Sequence, residues 1–253
     1  MTLNAFKLDG QVAIVTGCNT GLGQGMALAL AQAGADIVGV NVSAPDDTKA
    51  LIEAQGRRFM DLRANLSDIS CIAGLVSEAT QLTGSVNILV NNAGIIRRED
   101  AINFTEKDWD DVMDLNLKSG FFFSQAVARQ FMAQGTGGKI INVASMLSYQ
   151  VSVRVPSNPS AKSGVMGMTR ALANEWAKHN INVNAIAPGY MSTDNTTALR
   201  ADEARNAASL ERIPAGRWGV PADMAGPVVF LASEASNYVN GYTVAVDGGW
   251  LAR

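Results

Sequence analysis

Gly17, Gly21 and Gly23 stand directly after the apolar run Val12–Thr16 and at the opening of an Ala/Leu-rich stretch. Glycines at a strand-to-helix turn let the backbone bend sharply and come close to a pyrophosphate, whose charge is favoured by free N–H groups at a helix N-terminus. The intervening Asn19, Thr20 and Leu22 complete a turn whose chemistry is that of a dinucleotide site. The remaining reactive side chains carry less. Cys18 lies inside the turn and Cys71 in a helical pattern, without the spacing of a zinc site or redox pair, so both are expected to be reduced structural thiols. His179, the single histidine, closes a helix in Lys178-His179-Asn180 and is expected on the surface. No metal is expected.

A glycine turn works only if regular elements hold it, and the sequence alternates β-branched runs with longer helical stretches. Strands are expected at Val12–Thr16, Ile37–Asn41, Arg58–Leu62, Val86–Asn91, Lys139–Ala144, Asn182–Ala187 and Tyr242–Val246. Helices are expected at Leu22–Ala33, Asp46–Gln55, Asp68–Thr83, Glu106–Ala133, Ser160–Lys178 and Pro221–Ala232, with Thr193–Arg212 mostly helical. Repeated strand-helix-strand units cross over right-handed, which predicts an α/β fold: a Rossmann-type, doubly wound parallel sheet of about seven strands. Ligands in such folds bind at the carboxyl ends of the strands near the switch in strand order.

Length and composition agree with one domain over residues 1–253, a dinucleotide-binding part at about 11–144 and a substrate part at about 145–253. The chain is 47% hydrophobic and 17% charged, with scattered charges and a net charge of −3. No basic face points to nucleic acid, and no polybasic run points to anionic lipid. The most apolar segment, Met26–Val40, is interrupted by Gln32 and Asp36, well short of the roughly 20 apolar residues of a membrane span. A cytoplasmic protein without membrane or nucleic-acid partners is expected.

The order Thr16-Gly17-x-x-x-Gly21-x-Gly23, with Asn91-Asn92-Ala93-Gly94, Asn116, Ser145, Lys162 and Pro188-Gly189, resembles the short-chain dehydrogenase/reductase family from one end of the chain to the other. The resemblance implies hydride exchange with a nicotinamide cofactor. It places Asn92, Ala93 and Gly94 against the adenosine ribose, Asn65 and Leu66 at the adenine, Lys162 on the nicotinamide ribose, and Pro188, Gly189, Met191 and Thr193 around the carboxamide. It also makes Ser145 the partner of the substrate oxygen and Asn116 the anchor of a relay water. At the end of the second strand Asn41 is followed by Val42-Ser43-Ala44. With no cation there to pair a 2′-phosphate, NAD is the expected cofactor.

One position departs from the family. A tyrosine is expected four residues before the lysine, its phenol pKa near 10 depressed by the ammonium; Asn158 stands there instead. A carboxamide has no accessible ionisation, and losing general acid–base help typically costs ~10²–10⁴ in rate. Three readings stay open: an altered stretch, confined to residues 158–161, in a working scaffold; rescue by Tyr149 as proton donor; and a protein that binds NAD without turnover. Pro159 in that window falls at a helix start, where proline is tolerated.

The flanking segments, among them Gly94-Ile95-Ile96-Arg97-Arg98-Glu99-Asp100 and Arg154-Val155-Pro156-Ser157, resemble family members that act on sugar acids. A keto or hydroxy sugar acid is therefore the implied substrate. Its carboxylate needs a two-pronged partner; Arg154 is the first candidate, with Arg97 or Arg98 second and Tyr149 a pocket wall. The apolar chain end, Val239 to Leu251, implies by the same resemblance a homotetramer.

Overall fold

The computed structural model describes residues 2–253. Strands β1 (Val12–Thr16), β2 (Asp36–Asn41), β3 (Phe59–Arg63), β4 (Ile88–Asn91), β5 (Gly138–Val143), β6 (Ile181–Pro188) and β7 (Thr243–Val246) form one parallel sheet in the order β3-β2-β1-β4-β5-β6-β7. The inner strands β1, β2, β4, β5 and β6 are almost wholly buried on both faces, as a parallel sheet covered by helices requires, while the edge strands β3 and β7 are partly exposed. Alternation then divides the side chains between two cores. Ala13 and Val15 pack on one face with Met26 and Leu30, while Val12 and Ile14 pack on the other with Phe123, Val127 and Phe131.

Among the described residues nine α-helices cover the faces: α1 (Gly21–Gln32), α2 (Asp46–Glu53), α3 (Ile72–Thr83), α4 (Glu106–Met113), α5 (Ser119–Gln134), α6 (Ser157–Trp176), α7 (Thr197–Ala201), α8 (Glu203–Arg212) and α9 (Ala225–Ala232). The chain runs outward from β1 to β3, then returns to the other side of β1 as β4. That reversal opens a crevice above β1 and β4, as the alternating pattern predicts. Among the described residues no helix is long and apolar enough to cross a membrane.

Several boundaries differ from the sequence reading. The single helix expected at Glu106–Ala133 is two helices joined by a π-type turn, Asp114–Lys118, where the Ser119 N–H reaches five residues back to Asp114 O. Periodicity cannot reveal one inserted residue, and such turns gather at functional sites; this one holds Asn116. Helix α6 starts at Ser157, three residues earlier than expected, and so takes Pro159 into its first turn, where no intrahelical N–H bond is lost. The segment Thr193–Arg212 is broken at Asp202, whose side chain accepts the Arg205 N–H and starts α8 anew. The first turn expected of Pro221–Ala232 is a 3₁₀ turn, Pro221–Met224.

Candidate active site

Six strand ends, helices α1 and α6 and the turn at Asp114–Lys118 converge on a cavity of about 460 Å³. Its floor at β1 is the glycine turn. Gly17 adopts φ +63°, and a Cβ on Gly23 would lie 2.1 Å from Gly17 O and 2.5 Å from Asn92 Nδ2. Only glycine fits so close an approach. The N-cap of α1, Thr20, makes no side-chain capping bond, so the helix offers its first N–H groups to the cavity and their partial positive charge to an anion.

The second strand supports this turn from behind. Asn41 is buried; its Oδ1 accepts the Cys18 N–H (2.8 Å) and its Nδ2 reaches Cys18 Sγ (3.6 Å). Burial pushes the Cys18 thiol up to about 11, against the opposing Asn41 hydrogen bond, and both cysteines are unpaired. Thr48, on α2, donates to Cys18 O at 2.7 Å. At the rim Asn19 Nδ2 donates to Ser43 Oγ (2.9 Å), and Val42 and Ser43 line the wall.

The Asn91-Asn92-Ala93-Gly94 segment locks β4 to its neighbours. Asn91 Nδ2 donates to Asn142 Oδ1 and Ser124 Oγ, both at 2.9 Å. Asn92 Nδ2 donates to Thr16 O (3.0 Å) and Gly17 O (2.9 Å), and the Asn92 and Ala93 N–H groups both donate to Thr16 Oγ1. These bonds fix the glycine turn against the central strand; amide side chains suit the task because each both donates and accepts.

At the far end the reactive groups meet. Asn116, presented by the π-type turn, clamps Ile95 through its N–H and C=O, both at 2.8 Å, and its Nδ2 reaches Asn158 Oδ1 at 3.5 Å. Ser145 follows β5, and its Oγ accepts the Leu147 N–H at 3.1 Å, which leaves the hydroxyl proton available. Lys162, one turn after Asn158 on α6, donates from Nζ to Val143 O at 2.6 Å. Burial alone pulls its ammonium down to about 8. All four side chains line the cavity.

Of the other residues singled out in the sequence, Gly17, Asn19, Thr20, Gly21, Leu22, Gly23, Asn41, Leu66, Asn92, Ala93, Gly94, Pro188, Gly189, Met191 and Thr193 line the same wall. Asn65 does not: it is exposed, and its Oδ1 accepts the Ser67 N–H in a local turn. The four substrate-side candidates also stand apart from the lining, and Arg98 donates from Nη2 to Asn195 O at 3.1 Å. Arg97 pairs with Asp108 and Asp111 on α4; Arg154, at φ +63°, pairs with Asp100 and Glu99; Tyr149 is 48% exposed. Neighbouring acidic residues hold the Arg97 and Arg154 guanidinium groups, which arginine counting alone could not show.

Two further parts of the site escaped the sequence reading. Asp194, Asn195 and Thr196 line the cavity beside Thr193, in a short turn closed by Thr196 Oγ1 donating to Met191 O at 2.7 Å. Trp250, buried near the chain end, donates from Nε1 to Gln150 Oε1 at 2.9 Å, lies under the Arg212 guanidinium and packs on Tyr190. It braces the loop that carries Ser145. Among the described residues no cluster of three His, Cys, Asp or Glu side chains is disposed to hold a metal.

A family model described as enoyl-(acyl carrier protein) reductase matches residues 17–251. The chain is 67% identical to the 2-dehydro-3-deoxy-D-gluconate 5-dehydrogenase of Escherichia coli (strain K12) and 68% identical to that of Dickeya dadantii (strain 3937), in each case over 253 residues and the whole of both chains. A solved structure from Agrobacterium tumefaciens, with NADP bound, is 53% identical; the match covers 99% of this chain and 100% of that one, with a TM-score of 0.94.

Proposed function

Since the chain belongs to the short-chain dehydrogenase/reductase family, we propose that it carries out the reversible NAD(H)-dependent oxidoreduction of a keto or hydroxy sugar acid, 2-dehydro-3-deoxy-D-gluconate at carbon 5. The role falls in the cytoplasmic breakdown of pectin-derived uronates, and the working unit is a homotetramer. One observation carries the reading: a glycine-lined anion cradle and the trio Asn116, Ser145 and Lys162 share one cavity. The full-length relatives named for that activity support the substrate.

The residues present fit a nicotinamide dinucleotide. A Cβ on Gly23 would fill the cradle, and the α1 N-terminus is uncapped beside it. Gly17, Thr20, Leu22 and Asn92 to Gly94 would hold its phosphates and adenosine half, and Lys162 its nicotinamide ribose. When bound, the group supplies or accepts a hydride. NAD rather than NADP is favoured because, among the described residues, no cation lines the wall at Asn41, Val42 and Ser43. Arg63, which reaches this wall from β3, pairs with Asp61 and donates from Nη1 to Val42 O at 3.5 Å. The NADP-bound neighbour supports the opposite preference. Paired NADH and NADPH titrations decide: at least ~10-fold tighter NADH binding is expected, and tighter NADPH binding would overturn the NAD reading.

Within that frame each side chain has a task. Ser145 directs its free hydroxyl proton at the substrate oxygen. Asn116 clamps Ile95 and so fixes the wall behind Asn158. Asn158 can donate a hydrogen bond from Nδ2 but cannot deliver a proton, and Tyr149 stands outside the lining. Protons must come from water or Lys162, so turnover is expected ~10²–10⁴ below that of a tyrosine-bearing site.

Asn158 also favours a second reading, a protein that binds the cofactor without turnover. The two separate in one assay of NADH oxidation with 2,5-didehydro-3-deoxy-D-gluconate. Slow, saturable oxidation that rises at least ~10² in Asn158→Tyr is expected. Tight NADH binding with no oxidation in either form would establish the second reading instead.

A further inference from the structure

We propose that the Lys162 amine forms a Schiff base with the carbonyl carbon of a keto acid in the cavity, a covalent activity separate from hydride exchange. It rests on the reading that a carbonyl acid enters this site. Lys162 lines the cavity, and among the described residues its one hydrogen bond is to a backbone carbonyl, Val143 O. A neutral acceptor stabilises an ammonium far less than a carboxylate would. With burial holding the group at about 8, roughly a tenth of it is neutral amine at pH 7. A desolvated lysine in that condition is the nucleophile of imine chemistry.

Lys139 shows what is special about the position. Its amine is also pulled down to about 8 by burial, yet Asn182 Oδ1 (2.8 Å) and Asn237 Oδ1 (2.7 Å) hold it, and it lines neither cavity. At Lys162 the residue one turn earlier is Asn158, whose short carboxamide is bound to Asn116 rather than to the amine. Ser145, across the cavity, has a free hydroxyl proton to polarise the carbonyl. Behind Lys162 a second cavity of about 10 Å³, bordered by Thr16, Asn116 and Ser119, is near the size of one water.

The step balances without any redox partner. The amine lone pair forms an N–C bond, the carbonyl oxygen takes up two protons, one originally on the nitrogen and one from solvent, and leaves as water; the protonated C=N bond remains. Hydrolysis reverses it.

Pyruvate is the probe, added with cyanoborohydride to the cofactor-free protein across a pH series and followed by peptide mass measurement. A reduced pyruvyl group is expected on Lys162 at least ~10-fold ahead of surface Lys107 and buried Lys139, with a rate that climbs as pH passes through about 8. Lys162 labelled no faster than Lys107 would overturn the proposal. NADH titration of the same preparation keeps the two readings apart. Binding without an adduct removes the Schiff base alone, and an adduct without binding removes the dinucleotide site alone.

Discussion

At the scale of single residues Asn158 decides the proton chemistry. An amide that transfers no proton can be removed at little further loss, so Asn158→Ala is expected to change turnover by less than ~10-fold while Asn158→Tyr raises it by at least ~10². A large loss in Asn158→Ala, measured as kcat with saturating NADH, would show that the amide has an active role. Much of this was legible in the sequence, because Ser145, Asn158 and Lys162 carry their chemistry in residue type and spacing. The arginine partner of a carboxylate was not legible. Arg97 and Arg154 have the right chemistry, but their fate depends on Asp108, Asp111, Asp100 and Glu99, which only the folded chain brings to them.

Elements decide where those residues point. The strands and most helices follow from apolar alternation, since β1 divides its side chains between two cores. The π-type turn at Asp114–Lys118 does not, because inserting one residue leaves composition and periodicity nearly unchanged. Its effect on the site is large, for it delivers Asn116 to Ile95 and Asn158. Trp250 was equally hidden, since its indole acts on a loop a hundred residues earlier in the chain. Replacing that buried ring, Trp250→Ala, is expected to destabilise the fold by about 3–5 kcal/mol and to raise KM by loosening the Ser145 loop. Denaturant unfolding together with steady-state kinetics checks both; an unchanged midpoint would contradict the bracing role.

For the molecule as a whole the buried amines set a pH dependence. Lys139 holds β5 to β6 and, through Asn237, to the approach of β7, and its folded pKa of about 8 lies below the ordinary lysine value of about 10.4. Between those values the unfolded chain binds more protons than the folded one, so stability contributed by this group rises from pH ~8 to ~10. Thermal unfolding of Lys139→Met should lose that part of the rise; an identical pH slope in variant and parent would refute the assignment. The proposed homotetramer is tested at this scale too. Strand β7 is an edge strand of the sheet, with Tyr242 63% exposed just before it, and sedimentation is expected to give four chains. A monomer at micromolar concentration would contradict it.

Everything functional depends on the glycine cradle taking a nicotinamide dinucleotide, and a fluorescence titration with NADH tests this most directly. The chain is expected to bind one NADH per protomer, and Gly23→Ala, whose Cβ would collide with Gly17 O, is expected to weaken binding by at least ~10² while keeping a cooperative unfolding transition. Unsaturable binding by the parent, or equal affinity in a folded Gly23→Ala, would contradict the account.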